Sequence, residues 1–259
     1  MVNNDLADKR LSFASDLSRS RLFLGAEESL IRHCSAFFAI HTFRRGQRIM
    51  LQCDRKRLIH LVAAGHVRLS CLSDGGHEIS HAIVGPGGSV GEEVLVGERR
   101  SLMGTALEDC RTLAASGDQL APIFSAEPVL AMNLARYTSF RYSEAAMALE
   151  ESVEGRVRDR LLRALQRFAR EYGVTSNMGR QIMLRLTHAD IATFVASTRE
   201  TVSLELGALT RIGSISRTRG TITVPDHDFD IADPRTVGRR PRQVLSRLKL
   251  RSREGTAAR

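Results

Sequence analysis

Apolar residues recur at helical spacing between residues 18 and 38, where Leu22, Leu24, Leu30, Ile31, Cys34, Phe37 and Phe38 alternate with polar positions, so short amphipathic helices are predicted there. The texture changes at His41. From His41 to Ala115, short runs of Val, Ile and Leu are broken by turn chemistry at Arg45-Gly46, Ala64-Gly65, Asp74-Gly75-Gly76, Gly85-Pro86-Gly87-Gly88 and Gly91. Strands at that spacing predict an antiparallel barrel or roll. Pro128 then opens a segment running through Leu130, Met132, Leu134, Tyr137, Phe140, Ala145, Met147, Leu149 and Val153 to Tyr172, interrupted only by Gly155. It reads as a helix of about forty residues. An apolar stripe on so long a helix buries itself against a partner helix, which predicts a parallel homodimer. A monomeric bundle is the alternative, but no further long helices complete one. From Gly173 to Val224 shorter helical units are followed by a Gly-punctuated β segment, Gly213-Ser214-Ile215-Ser216 and Arg219-Gly220-Thr221-Ile222-Thr223-Val224. The expected boundaries are 18–127, 128–172, 173–225 and a tail over 226–259, acidic to residue 234 and Arg-rich thereafter, which reads as mobile.

Charge narrows the partner. Lys and Arg number 38 against 29 Asp and Glu, a net charge of +9, so the surface field favours an anionic partner, nucleic acid or an anionic membrane, between which net charge alone does not choose. No apolar run approaches the roughly 18–20 residues that span a bilayer, and the amino terminus (Asp5, Asp8, Lys9, Arg10) lacks the apolar core of a secretory signal. A soluble, unprocessed, cytoplasmic protein without a membrane partner is expected. Cys34, Cys53, Cys71 and Cys110 are scattered, with neither CxxC nor zinc-finger spacing, so buried reduced thiols are expected and no metal site. With no Trp and 5% aromatics, a stacking surface for single strands has little support, and a duplex remains open. No hydrolase, metalloprotease, Walker or dinucleotide fingerprint stands in the right context, so no catalytic residues are assigned and an enzyme is not expected.

The segment Leu186–Ser203 carries the sharpest signal. Thr187 is placed to cap a first helix with Asp190 at the capping-box position, and Ile191, Ala192 and Val195 give that helix an apolar inner face. Ser197 or Thr198 caps a second helix, whose first turn presents Arg199, Glu200 and Ser203 outward while Val202, Leu206 and Leu209 face in. This is a helix-turn-helix. An Arg at the start of a recognition helix can fork onto guanine, and a Glu can accept from cytosine.

Thr198-Arg199-Glu200-Thr201-Val202, within Leu186 to Ile215, resembles the DNA-binding region of the bacterial CRP/FNR family. Arg45-Gly46-Gln47-Arg48-Ile49, Ala64-Gly65-His66-Val67 and Gly85-Pro86-Gly87-Gly88-Ser89-Val90-Gly91-Glu92 are similar to that family's turn motifs. The resemblance covers roughly residues 20–224. It implies an α+β fold: a β-roll of the cyclic-nucleotide-binding, jelly-roll kind, a long dimerisation helix and a winged helix-turn-helix. It further implies a homodimeric transcription regulator that reads a palindromic site in double-stranded DNA through Thr187, Thr198, Arg199, Glu200, Thr201 and Ser203, with RNA polymerase as a further partner. Leu204 stands where many members carry an Arg.

In members that bind a cyclic nucleotide, a cassette beginning Gly-Glu and ending Arg-Ser holds the ligand. Gly91, Glu92, Arg100 and Ser101 match it, and Arg141 and Tyr142 fall where the adenine is read. The resemblance leaves the effector open between a cyclic nucleotide, haem and none, with haem behind cyclic nucleotide because His66, His77 and His81 are lone His residues in turns of the roll, which face solvent far more often than they serve as axial ligands. Nothing resembles the family's amino-terminal iron–sulfur cysteines. Two alternatives stand beside this reading: an effector-independent or gas-sensing regulator of the same fold, and a nucleotide-sensing module that acts through a protein partner.

Overall fold

The Gly-punctuated apolar runs after His41 fold as eight strands in two four-stranded antiparallel sheets. β1 (Ala39–Phe43), β3 (Leu58–Ala64), β6 (Ser89–Val90) and β8 (Cys110–Ser116) form one, in the order β1-β8-β3-β6. β2 (Arg48–Met50), β4 (Val67–Leu72), β5 (Glu78–Val84) and β7 (Met103–Ala106) form the other, in the order β2-β7-β4-β5. Val62, Val90 and Cys110 of the first sheet pack with Ile49, Val67, Leu69, Val84 and Ala106 of the second, and this is the core of a β-roll. One irregularity matters later: Leu69 pairs with Ala82 but Ser70 with Ser80, so His81 is the extra residue of a β-bulge.

In the computed structural model the described residues are 13–53, 56–153, 155–218 and 220–226, and the side chains of 151–153 lie outside the description. The acidic and Arg-rich stretches beyond Asp226 therefore lie outside the described residues. The chain divides into two compact units, Met1–Ala164 with Leu184–Leu209, and Leu165–Met183 with Thr210–Arg259.

Helices cover one face of the roll. Residues 13–18 (α1), α2 (Glu28–Ser35), α3 (Gly117–Ala126) and α4 (Pro128–Val153) bury Leu17, Ile31, Cys34, Leu120, Phe124 and Leu130 against Ile59, Leu61 and Leu113. The predicted helix through Leu22 and Leu24 is replaced by turns. The Leu22 and Leu24 carbonyls are held instead by the side-chain amide of the buried Asn133 on α4, at 3.2 and 2.8 Å, so this segment's backbone bonds are met without a helix. Four residues further along α4, the Tyr137 hydroxyl donates to the Ser89 carbonyl (2.8 Å) and accepts from the Ser89 N–H (3.0 Å).

The long predicted helix is two helices. Gly155, at φ +86°, breaks it between α4 and α5 (Val157–Tyr172). Along α5, Leu161, Ala164, Leu165, Phe168 and Ala169 are buried at helical spacing. In the first unit follow α6 (His188–Phe194) and, as far as Leu209, α7 (Arg199–Arg211). The second unit carries a four-stranded sheet, β11-β12-β10-β9, of β9 (Gly173–Ser176), β10 (Gly179–Ile182), β11 (Ser216–Thr218) and β12 (Thr221–Val224). The β9–β10 hairpin corrects the expectation of helical units directly after Gly173. Of the four thiols, only Cys34 and Cys110 are buried, whereas Cys53 is exposed and Cys71 half-buried. No helix among the described residues is long and apolar enough to cross a membrane.

Replacing Tyr137 by Phe leaves both Ser89 backbone groups buried without their partner, so the Tyr137→Phe variant should lose about 1–3 kcal/mol of stability. A lower denaturant midpoint at unchanged slope is the expected result.

Candidate functional site

Two sites emerge within the first unit. The helix-turn-helix is built as its capping residues dictate. The Thr187 hydroxyl accepts from the Asp190 N–H (3.0 Å), and the Asp190 carboxylate accepts from the Thr187 N–H (2.9 Å) and hydroxyl (2.6 Å), a complete capping box. Ile191, Ala192, Val195, Val202, Leu206 and Leu209 are buried. Between the helices Ala196 takes φ +45°, and Arg160 of α5 donates to the carbonyls of Val195 (3.1 Å) and Ala196 (3.4 Å). Thr198, not Ser197, caps α7 by accepting from the Thr201 N–H at 3.2 Å. Arg199 and Glu200 are exposed on its first turn, as is Leu204 further along. Ser203 is engaged: its hydroxyl donates to the Arg199 carbonyl (2.9 Å) and lies 2.6 Å from His188 Nδ1.

The second site is a cavity of about 720 Å³ bounded by the roll, α3 and α4. Gly91, Glu92, Ser101, Arg141 and Tyr142 line it, together with Met50, Leu69, His81, Leu95, Leu102, Phe124 and Leu134. Gly91 sits at φ +85° with its α-carbon so close to the Leu58 carbonyl that a β-carbon would lie 2.9 Å from it. Arg100 is not among the lining residues. It is 3% exposed, donates from Nη2 to the Leu58 carbonyl, and stands 3.8 Å from the Glu93 carboxylate. The structure thus brings five of the six predicted effector residues to the wall of one cavity and leaves the sixth, Arg100, buried beside Gly91 and Glu93 of that wall. Arg141 pairs with Glu144 at 3.1 Å. His81 is not the turn residue expected: it faces the cavity, 3.1 Å from the Cys71 sulfur, and burial, aided by the Arg141 charge, lowers its pKa. Burial pushes Glu92 up to about 7, against the opposing pull of its own backbone N–H and of Arg141. Among the described residues no group of three or more His, Cys, Asp or Glu is arranged to hold a metal.

Sequence reasoning missed a third cluster. Arg68 of β4 is buried, with Nη2 on Glu78 Oε1 (2.8 Å) and Nη1 on Asp190 Oδ1 (3.2 Å) and the Thr193 hydroxyl (3.3 Å). Ser70 adds a 2.6 Å hydrogen bond to Glu78, and Ser80 one of 2.6 Å to Thr193. Burial tends to raise the Glu78 pKa, but the Ser70 and Arg48 hydrogen bonds and the Arg68 charge outweigh it and hold the carboxyl below its ordinary value. An Arg at an alternate position of a β-strand, with a Glu just past the following turn, was the available signal.

Because Glu92 keeps its proton to higher pH in the folded chain than in the unfolded one, the unfolded state binds fewer protons between about pH 4.5 and 7. Stability should therefore fall as pH rises through that window and level off above it. The Glu92→Gln variant should flatten this slope and be the more stable protein at pH 7.5, by an amount on the order of 3 kcal/mol. Denaturant titrations of both proteins across the window measure it.

The comparisons with known proteins agree with this geometry. A cyclic nucleotide-binding domain model matches residues 40–127, and a Crp-like helix-turn-helix domain model matches residues 156–228. The chain is 31% identical over 206 residues to the cyclic AMP receptor protein of Thermus thermophilus, covering 79% of this chain and 92% of that protein. It is 29% identical to the global nitrogen regulator of Synechocystis, over 71% of this chain and 84% of the relative. Among solved structures, a CRP/FNR-family transcriptional regulator from Thermus thermophilus is similar at a TM-score of 0.59 with 28% identity, covering 74% of this chain and 95% of that one. The c-di-GMP-responsive regulator of Xanthomonas campestris, at TM-score 0.67 and 20% identity over 77% and 99% of the two chains, has the same fold. With a β-roll that holds a cavity, a long helix beside it and a capped helix-turn-helix, the chain belongs to the CRP/FNR family of DNA-binding transcription regulators.

Proposed function

We propose that this regulator acts as a cytoplasmic homodimer on a near-palindromic duplex site and works through RNA polymerase. The observation that carries the DNA reading is the first turn of α7, where Thr198 caps the helix and leaves Arg199 and Glu200 exposed. Polar groups at that position of a helix-turn-helix reach base edges in the major groove. Thr198 and Thr201 suit phosphate contacts beside them, whereas the Thr187 hydroxyl is committed to Asp190 and Ser203 to His188 and to its own helix. Dimerisation is supported by the apolar residues that α4 leaves uncovered, with Met132 53%, Phe140 41% and Leu149 64% exposed in the single chain. A C2 pair places two α7 helices on half-sites about one helical turn apart.

The roll cavity is the effector site in this reading, with Glu92, Ser101, Arg141 and Tyr142 on its wall. A cyclic nucleotide would need Arg100 to leave the Leu58 carbonyl and face its phosphate. That Arg100 is committed to Leu58 and Glu93 favours a second reading, in which the regulator takes another effector or none.

Arg199→Ala should cost about 1–3 kcal/mol of discrimination for one G·C pair in each half-site while scrambled duplex is bound as before. Equal weakening on matched and scrambled duplex would show that α7 reads no bases. Sedimentation should give a dimer at micromolar concentration. Calorimetry with cyclic AMP and cyclic GMP separates the effector readings: heat that disappears in Arg100→Ala supports the cyclic-nucleotide one, and no heat from the parent protein supports the other.

A further inference from the structure

Val202, Leu206 and Leu209 are buried and fix which side of α7 packs against the chain. Helix residues three and four apart share a face, so Glu200, Leu204 and Gly207 lie together along the opposite side. Leu204 is aliphatic, yet it is 74% exposed there. The residues flanking it are occupied: the Ser203 hydroxyl donates to the Arg199 carbonyl and lies against His188, and Glu205 pairs with Arg158 at 2.6 Å.

Neither helix formation nor internal packing calls for Leu204 and Gly207. Arg, Lys, Gln and Glu sustain an exposed helix position about as well as Leu, without holding an apolar side chain in water. Glycine is the poorest helix former after proline. A β-carbon at Gly207 would meet nothing within 4 Å, so the chain itself leaves room for a side chain at that position. A bare stretch of helix is what lets a backbone approach an outside surface closely. An apolar knob and a bare turn therefore lie side by side on the face that Glu200 shares.

In the major groove an aliphatic side chain has little choice of partner. Guanine, adenine and cytosine present donors and acceptors at their edges, and thymine adds the one apolar group, its 5-methyl. A Leu laid over the polar edges would leave them without hydrogen bonds, whereas against the methyl both surfaces leave water favourably. We propose that Leu204 is a specificity-determining residue of this regulator, which packs on the 5-methyl group of a thymine in each half-site, and that Gly207 lets the helix come close enough for the contact. Leu204 stands about one helical turn, roughly 6 Å, beyond Glu200. The thymine therefore lies one or two base-pair steps, at about 3.4 Å each, from the pair that Glu200 meets. The assignment rests on the reading of α7 as the helix that enters the groove, and adds the base that its middle recognises.

Replacing thymine by uracil removes that methyl group and nothing else. In a duplex enriched from a random pool by the parent protein, each thymine of the two half-sites is replaced in turn, and binding is measured at one salt concentration. At one position per half-site the loss should be about fourfold, the worth of one buried methyl group. Leu204→Ala should bind the thymine and uracil forms of that duplex equally. Indifference of the parent to uracil at every thymine, or a uracil effect that persists in Leu204→Ala, overturns the assignment. Gly207→Leu should bind the selected duplex at least about tenfold more weakly with its helix content unchanged by circular dichroism, and undiminished binding by that variant overturns the assignment as well. Arg199→Ala separates the two levels. If it weakens selected and scrambled duplex alike, or if the parent enriches no duplex at all, α7 reads no bases and the underlying reading fails. If it lowers discrimination while uracil changes nothing, the role of Leu204 fails by itself.

Discussion

Successive side chains of a β-strand point to opposite faces, and β4 has something to cover on each. Val67 and Leu69 turn inward to the roll core and cavity, while Arg68 and Ser70 turn outward to Glu78 and α6. The neighbouring β5 would repeat the alternation unchanged, except that the bulge at His81 shifts its phase. Ser80 therefore faces α6 while Ala82 and His81 face the cavity. The wall of one site is the docking face of the other. Little can move on one side of this two-strand ribbon without being felt on the other, since close-packed elements shift between discrete arrangements and do not deform smoothly.

The alternation of Val67-Arg68-Leu69-Ser70-Cys71 was legible as a strand with one apolar and one polar face. What alternation cannot tell is whether the polar face meets water, because a face satisfied by Glu78 and Asp190 has the same composition as a solvated one. The capping box was legible for the opposite reason. Thr187 and Asp190 are three residues apart, so their bonds follow from local geometry alone. The turns at Leu22 and Leu24 were missed because their carbonyls are held by Asn133, more than a hundred residues away, and a period of apolar residues carries no trace of that partner. The β9–β10 hairpin has strands of only four residues, too short for a period of two to stand out from helix.

The candidate effector residues show the same division. Gly91 was recognisable from its turn, and Glu92 and Ser101 from their place in the cassette, and all three reach the cavity. The position of Arg100 in the chain is equally definite, but a long side chain chooses its partner among those within reach. The Leu58 carbonyl and the Glu93 carboxylate are both within reach. Sequence fixes where a guanidinium is anchored. It does not fix which way it points when two acceptors compete.

Asp190 joins these strands of argument, since one carboxylate serves both the internal architecture of the helix-turn-helix and its tie to the roll. Its Oδ2 accepts from Thr187, and its Oδ1 from Arg68. Hydrogen bonds that exchange with water contribute about 0.5–1.5 kcal/mol each, somewhat more where a charge takes part. The few that join Arg68 and Ser80 to α6 thus amount to a few kcal/mol.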